Sequence, residues 1–208
     1  IAKLKGEALE KNVLPELGRL LCDNSRATNG GGMKSGVMGL FHPGDLDAAI
    51  DDAIVMCLPT HDNTIALSGA CAIAAATAKA MEERVSYIEV IEAGIYGARE
   101  GYRKAQPIAK PVAGASVEKK IGLAVEIGLR RAGDFEGAMN DIADIIGGGL
   151  YAYEAIPAAF GHIAACGGLT MDSILMGVNA GDDTDTVACM TGFIVGALGV
   201  PGRFRQNT

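Results

Sequence analysis

The sequence predicts an all-α fold, on three observations. Ala, Leu, Ile and Val recur at helical spacing through most of the chain. No run shows the sustained alternation of β-branched and aromatic residues that marks a strand. The periodic stretches stop at glycines, at Gly133, Gly147 to Gly149 and Gly167-Gly168, the residue type that helix C-termini favour. At 208 residues, 49% hydrophobic and 21% charged, the chain has enough apolar material to bury a sizeable core without disulfide or metal staples. No Pro/Ser/Gly-rich linker divides it and no fixed-period repeat appears, so residues 1–208 read as one domain.

Helices are expected over 3–21, 45–58, 64–83, 86–103, 116–131, 135–146, 152–166, 171–179 and 183–198. The second starts where Asp45 follows a Pro43-Gly44 turn, and the fifth where Ser116 follows a Pro-containing loop, with Lys119 and Lys120 after it. The third is rich in Ala and Gly; small side chains let helix backbones approach closely, which places it at the centre of a bundle. The apolar stretch 64–81 carries Lys79, and 187–201 is shorter than the ~20 residues a membrane span needs, so both are read as buried helices and no membrane partner is expected. The segments 28–34 and 147–151 are read as glycine loops between helices.

Acidic residues outnumber basic ones 25 to 18, a net charge of −7, which argues against a surface that neutralises a phosphate backbone; nucleic acid is not an expected partner. The five cysteines, Cys22, Cys57, Cys71, Cys166 and Cys189, form no C-x-x-C pair, and reduced, buried thiols of a cytoplasmic protein fit them best. No charged segment followed by an apolar one opens the chain, so a signal peptide is not expected, and the Ile at position 1 suggests that residues precede it.

Chemistry concentrates in a few segments. Ala180-Gly181-Asp182-Asp183-Thr184-Asp185-Thr186-Val187 puts three carboxylates and two hydroxyls into five consecutive residues before an apolar helix. One Asp there needs only to cap the helix, whereas three clustered carboxylates repel one another unless a cation neutralises them, and hard oxygen ligands suit Mg²⁺ or Mn²⁺. In a first helical turn Asp183 and Thr186 share a face with Asp185 beside them, so the three can converge on a metal; an elaborate cap remains the other reading. Thr28-Asn29-Gly30-Gly31-Gly32-Met33-Lys34 could bring backbone N–H groups close to an anion or be an ordinary loop, and it lacks the spacing of a P-loop. Thr60-His61-Asp62-Asn63 sets a histidine at a helix start, where Asp62 or Asn63 can cap and His61 can meet a ligand. His42 and His162 read as structural, and Tyr151 or Tyr153 could stack on a base or belong to the core.

In this order, the segments resemble the ADP-ribosylglycohydrolase family, which includes the dinitrogen-reductase-activating glycohydrolases and the vertebrate ADP-ribosyl-acceptor hydrolases. Gly181-Asp182-Asp183-Thr184-Asp185-Thr186 resembles its carboxy-terminal metal motif, with Asp182 at a position often filled by Gly. Asn29-Gly30-Gly31-Gly32-Met33-Lys34 is similar to its N-G-x-x-M-[RK] segment, Leu58-Pro59-Thr60-His61 to its L-T-H segment, Pro43-Gly44-Asp45 to its Pro-Gly-Asp turn, and Glu154 to Ala159 to its E-x-[VIL]-P-x-A element.

The resemblance implies an all-α fold, a two-metal Mg²⁺ or Mn²⁺ centre with Asp183, Asp185 and Thr186 among its ligands, and contacts to ADP-ribose from Asn29, Gly30, Gly31, Gly32, Met33 and His61. It implies as substrate an ADP-ribosylated protein or an ADP-ribose-containing small molecule, cleaved at the glycosidic bond. The family's T-D-D segment, with further metal ligands and the acidic residue credited with catalysis, has no match here; Asp51-Asp52 lacks the Thr and lies elsewhere in the order. The chain therefore resembles the carboxy-terminal portion of such an enzyme and no catalytic residue is assigned within it. The alternative is a catalytically inactive ADP-ribose-binding or crystallin-like structural homologue. Asp183-x-Asp185-x-Val187 also fits the D-x-D-x-[TV] of haloacid-dehalogenase-like phosphatases, but the 21 residues after Val187 hold no Lys or acid, and that reading is set aside.

Overall fold

A computed structural model describes residues 27–199; the helix expected over 3–21 and Cys22 lie outside the described residues. Within them the protein is all-α. A short 3₁₀ turn, Asn29–Gly31, leads into α1 (Gly32–Phe41), followed by α2 (Leu46–Cys57), α3 (Thr64–Ala80), α4 (Tyr87–Ala105), α5 (Val117–Arg130), α6 (Phe135–Ile145), α7 (Ala152–Ala165), α8 (Thr170–Asn179) and α9 (Thr184–Leu198). Among the described residues the extended pairing amounts to two isolated bridges, Thr28 with Tyr151 and Asn63 with Lys110. No described helix is long and apolar enough to cross a membrane.

The expected starts coincide with local chemistry. Asp45 accepts from the Ala48 amide, Asn63 from Ala66, Ser116 from Lys119 and Asp134 from Gly137, while Ser86 and Glu89 form a reciprocal capping box. At the stops, Gly133 and Gly147 adopt φ of 87° and 86°, a conformation that a Cβ penalises.

α3 is the central helix, buried along its length except at Lys79, and it packs against α1, α2, α4, α7 and α9. One side, through Ile73 and Ala76, joins a cluster with Ile156, Phe160, Ile163 and Ile194; the other, through Leu67, Cys71 and Ala75, joins Ile50 and Ile54 of α2. Small residues set the spacing: a Cβ at Gly97 of α4 would fall 2.4 Å from the Cys71 carbonyl oxygen, and one at Gly94 would meet the Phe160 ring at 2.3 Å.

One element departs from expectation. Gly32 to Phe41 is a helix, where the glycine run predicts a loop continuing to Lys34. Glycine lowers helix propensity, but Gly32, Gly36 and Gly39 recur on one face and let α1 seat itself against Met190 and Ile156, Phe193, and the α3 backbone at Ala74 and Ala78. Tertiary packing overrides local preference here. Cys189 also departs: Cys57, Cys71 and Cys166 are free and buried, but Cys189 is free and exposed, because it lies on the outward side of α9's first turns.

Candidate functional site

The N-terminal ends of α1, α3, α7 and α9 meet at one end of the bundle. The Asn29 amide N–H donates to the Leu150 carbonyl at 2.8 Å, and the Ala152 N–H to that of Ala27 at 2.9 Å, which ties the entry to α1 against the entry to α7. The Asp183 N–H donates to the Gly148 carbonyl at 3.2 Å, adding the entry to α9. Gly30 faces His61: a Cβ on it would lie 2.8 Å from the ring Nε2, so the absence of a side chain lets the imidazole approach, and the entry to α3 completes the group. Helix N-termini carry unsatisfied N–H groups and partial positive charge, so this end of the molecule favours anions at its backbone.

Asn29 is the joint of the arrangement. It is buried, and its side-chain Nδ2 donates to Asp183 Oδ2 at 2.5 Å and to the Gly149 carbonyl at 3.2 Å. Asp183 stands at the position that usually caps a helix but makes no cap bond to α9; its carboxylate faces Asn29 instead. Asp185 is exposed, Thr186 is buried on the same first turn, and among the described residues none of Asp182, Asp183 and Asp185 pairs with a Lys or Arg. Asp182 adopts φ of 61°, a left-handed conformation that glycine takes without penalty and Asp tolerates, which agrees with its standing where the resembled motif often has Gly.

The other predicted residues divide. Gly31 and Gly32 are buried and serve packing: a Cβ on Gly31 would touch Ala70 and Cys57, and one on Gly32 would lie 2.8 Å from the Met190 sulfur. Met33 is 45% exposed, and its carbonyl accepts from the Cys189 thiol. The structure thus brings together Asn29, Gly30, His61 and Asp183, leaves Asp185 and Met33 at the rim, and turns Gly31 and Gly32 inward. Asn63 rather than Asp62 caps α3; Asp62 pairs with Lys110 at 3.1 Å. Tyr151 and Tyr153 stack on each other, with ring centroids 5.2 Å apart.

A polar chain that no sequence spacing marks lies behind His61. Lys34 Nζ donates to Thr60 Oγ1 at 2.8 Å, and that hydroxyl lies 2.8 Å from His61 Nδ1 and 3.2 Å from the Cys57 carbonyl. It fixes the imidazole edge-on to Gly30. Partial burial, and secondarily the nearby Lys34 ammonium, hold His61 below the ordinary histidine pKa, so the ring is neutral at pH 7. Burial pushes the neighbouring Cys57 thiol up to about 11, with Lys34 opposing, so it is not a nucleophile.

Whether this end can hold a metal is a question of donors. Asp183, Asp185 and Thr186 offer hard oxygens, with no competing Lys or Arg pairing, and suit Mg²⁺ or Mn²⁺. Among the described residues, however, no three His, Cys, Asp or Glu side chains gather closely enough to hold an ion by themselves. The donors therefore fit part of a metal centre. A cavity of about 510 Å³ lies elsewhere, between α3, α4 and the start of α5, and none of Asn29, Gly30, His61, Asp183 or Asp185 lines it.

Comparison with known proteins gives two findings. The sequence model of the ADP-ribosylglycohydrolase family matches residues 5–208. The chain is also 27% identical over 208 residues to the uncharacterized protein YegU of Escherichia coli (strain K12); the match takes in 94% of this chain and 60% of that relative, so the chain spans well under two thirds of the relative's length.

Proposed function

The chain belongs to the ADP-ribosylglycohydrolase family, and from that premise we propose that the complete protein is a Mg²⁺- or Mn²⁺-dependent hydrolase of the glycosidic bond joining ADP-ribose to a modified protein side chain or small acceptor. The observation that carries the reading is the Asn29–Asp183 hydrogen bond, which couples the glycine-run entry to α1 with the Asp-rich entry to α9 across 154 positions of sequence.

Each part has a task. The converging helix N-termini suit the diphosphate of ADP-ribose. His61, neutral and held edge-on to Gly30 by Thr60, offers Nε2 as a hydrogen-bonding group beside that segment. Asp183, Asp185 and Thr186 would hold the metal, with Asn29 orienting Asp183 from behind. The metal, when bound, supplies a Lewis acid that can orient the ribose hydroxyls or a water. In the overall reaction the bond from the ribose anomeric carbon to the acceptor breaks, the oxygen of water takes its place on that carbon, and a proton of water goes to the acceptor. Nothing in residues 27–199 is assigned as the general acid or base.

The test uses the complete protein with an ADP-ribosylated protein and with small ADP-ribosyl acceptors, with and without Mg²⁺ or Mn²⁺. Release of ADP-ribose that needs the metal and disappears in Asp185→Ala supports the proposal. Tight ADP-ribose binding with no release under any metal condition replaces it with the reading of a catalytically inactive binding homologue, and neither release nor binding leaves only a structural role.

A further inference from the structure

The cavity between α3, α4 and the start of α5 has no part in the site at the helix N-termini. At about 510 Å³ it falls within the ~300–1,000 Å³ typical of small-molecule sites. Ile65, Val112, Ala113 and Ala115 make its apolar wall. Ala115 is exposed and Ala113 half-buried, so the hollow opens to solvent along this segment. The buried hydroxyl on its inner side, Ser68, is already used within the fold, donating to the Ala98 carbonyl at 2.7 Å. The inner part therefore suits an apolar group.

Charge gathers at the mouth. Two exposed cations, Arg99 and Lys119, line the cavity with a single acid, Glu118. In a chain of net charge −7 this is a local reversal of sign. Glu118 lies in the first turn of α5, where it answers the positive end of its own helix. Lys119 makes no ion pair with a described residue. Arg99 meets Glu100 only at 3.8 Å, and Glu100 is held nearer by Arg103, at 2.8 Å. Both cations are long and flexible, and both are left with capacity for a further anion.

We propose that this cavity binds a small amphipathic monoanion, a carboxylate on an apolar body. The body lies along Ile65, Val112 and Ala113, and Arg99 and Lys119 meet the carboxylate at the mouth. Two cations against one acid leave a single positive charge, which one carboxylate balances, whereas a phosphate monoester near pH 7 brings closer to two negative charges. The site is separate from the proposed ADP-ribose site and does not depend on that reading.

The experiment titrates the complete protein at neutral pH with octanoate, 1-octanol and octylammonium, following the methyl NMR signals of Ile65, Val112, Ala113 and Ala115. Octanoate is expected to give saturable shifts there, and octanol to bind about tenfold more weakly because two exposed charge contacts are lost together. Octylammonium gives no saturable shift. Arg99→Gln and Lys119→Gln each weaken octanoate by about two- to fivefold and leave octanol unchanged. Ala115→Trp, at an exposed position on the wall, fills the hollow and removes the binding of both. The comparison of the three probes needs only the parent protein, so it stands should Ala115→Trp fail to fold. ADP-ribose is expected to leave bound octanoate in place. The absence of saturable shifts, equal affinities for octanoate and octanol, or displacement of octanoate by ADP-ribose overturns the proposal, and none of these results bears on whether ADP-ribose is released from a modified substrate.

Discussion

Asp45 and Asp183 occupy the same place at the starts of two helices, and they do different things there. Asp45 turns its carboxylate back onto α2, accepting from Ala48 at 3.0 Å, and it follows a Pro-Gly turn. The Asp183 carboxylate makes no bond to α9 and accepts instead from Asn29, a residue 154 positions away. The first arrangement is complete within one helical turn. The second leaves α9 without a side-chain cap and gives the carboxylate to another part of the chain. The contrast separates an Asp whose carboxylate serves its own helix from one whose carboxylate is held by a distant segment more sharply than either segment's sequence does.

The largest test of that contrast is metal binding in the complete protein. Asp183→Ala is expected to lower Mn²⁺ affinity by about 100-fold or more, beyond the ~10–100-fold typical of losing an outer-shell partner, whereas Asp45→Ala leaves it unchanged. Titration followed by electron paramagnetic resonance reads both variants, and equal effects would erase the distinction. Asn29→Ala belongs between them, lowering affinity about 10-fold through Asp183.

Glycines of the α1 region repeat the division. A Cβ at Gly39 would fall 2.4 Å from the Ala74 carbonyl oxygen, part of a central helix that cannot yield, so Gly39→Ala is expected to destabilise by about 1–3 kcal/mol despite the better helix propensity of Ala. At Gly30 the obstacle is the far end of a half-buried His61, so Gly30→Ala costs little stability and displaces the ring. Chemical denaturation and the His61 NMR signals distinguish the two; a stability loss at Gly30 as large as at Gly39 would mean that the site end is packed like the interior. Next in size, Asp45→Ala removes a cap and costs about 1 kcal/mol, while the same change at Asp183 spares that amount because no cap bond is lost.

What the sequence makes legible follows the same line. The starts of α2, α4, α5 and α6 are local chemistry, an oxygen-bearing side chain and an amide three positions on, and such chemistry is written in adjacent residues. The candidate segments were legible as well, because Gly, Asp and Thr crowd into a few positions. α1 was not, since Gly32, Gly36 and Gly39 read as loop by propensity and become helix only through Phe193 and the backbone of α3. Nor was the Asn29–Asp183 bond, which no spacing encodes, or the inward turn of Gly31 and Gly32, which depends on where Cys57 and Met190 lie. The exposure of Cys189 depends on which face α9 presents to the core, and the apolar run around it hides that choice.

The smallest expected effect concerns His61 and has a definite sign. Its pKa in the folded protein lies below the ordinary value, through burial first and Lys34 second. The unfolded chain therefore binds a proton there more readily than the native state, and as pH falls below about 6.5 this group subtracts from stability. Lys34→Met removes the second cause and leaves burial in place, so the pKa is expected to rise without reaching the ordinary value, and the acid penalty to shrink with it. Lys34 also donates to Thr60, so the same change frees the Thr60 hydroxyl and loosens the ring against Gly30. NMR titration of the His61 ring proton in parent and variant measures the shift. A pKa that stays put would mean that burial alone depresses it and that the Lys34–Thr60–His61 chain sets geometry without charge.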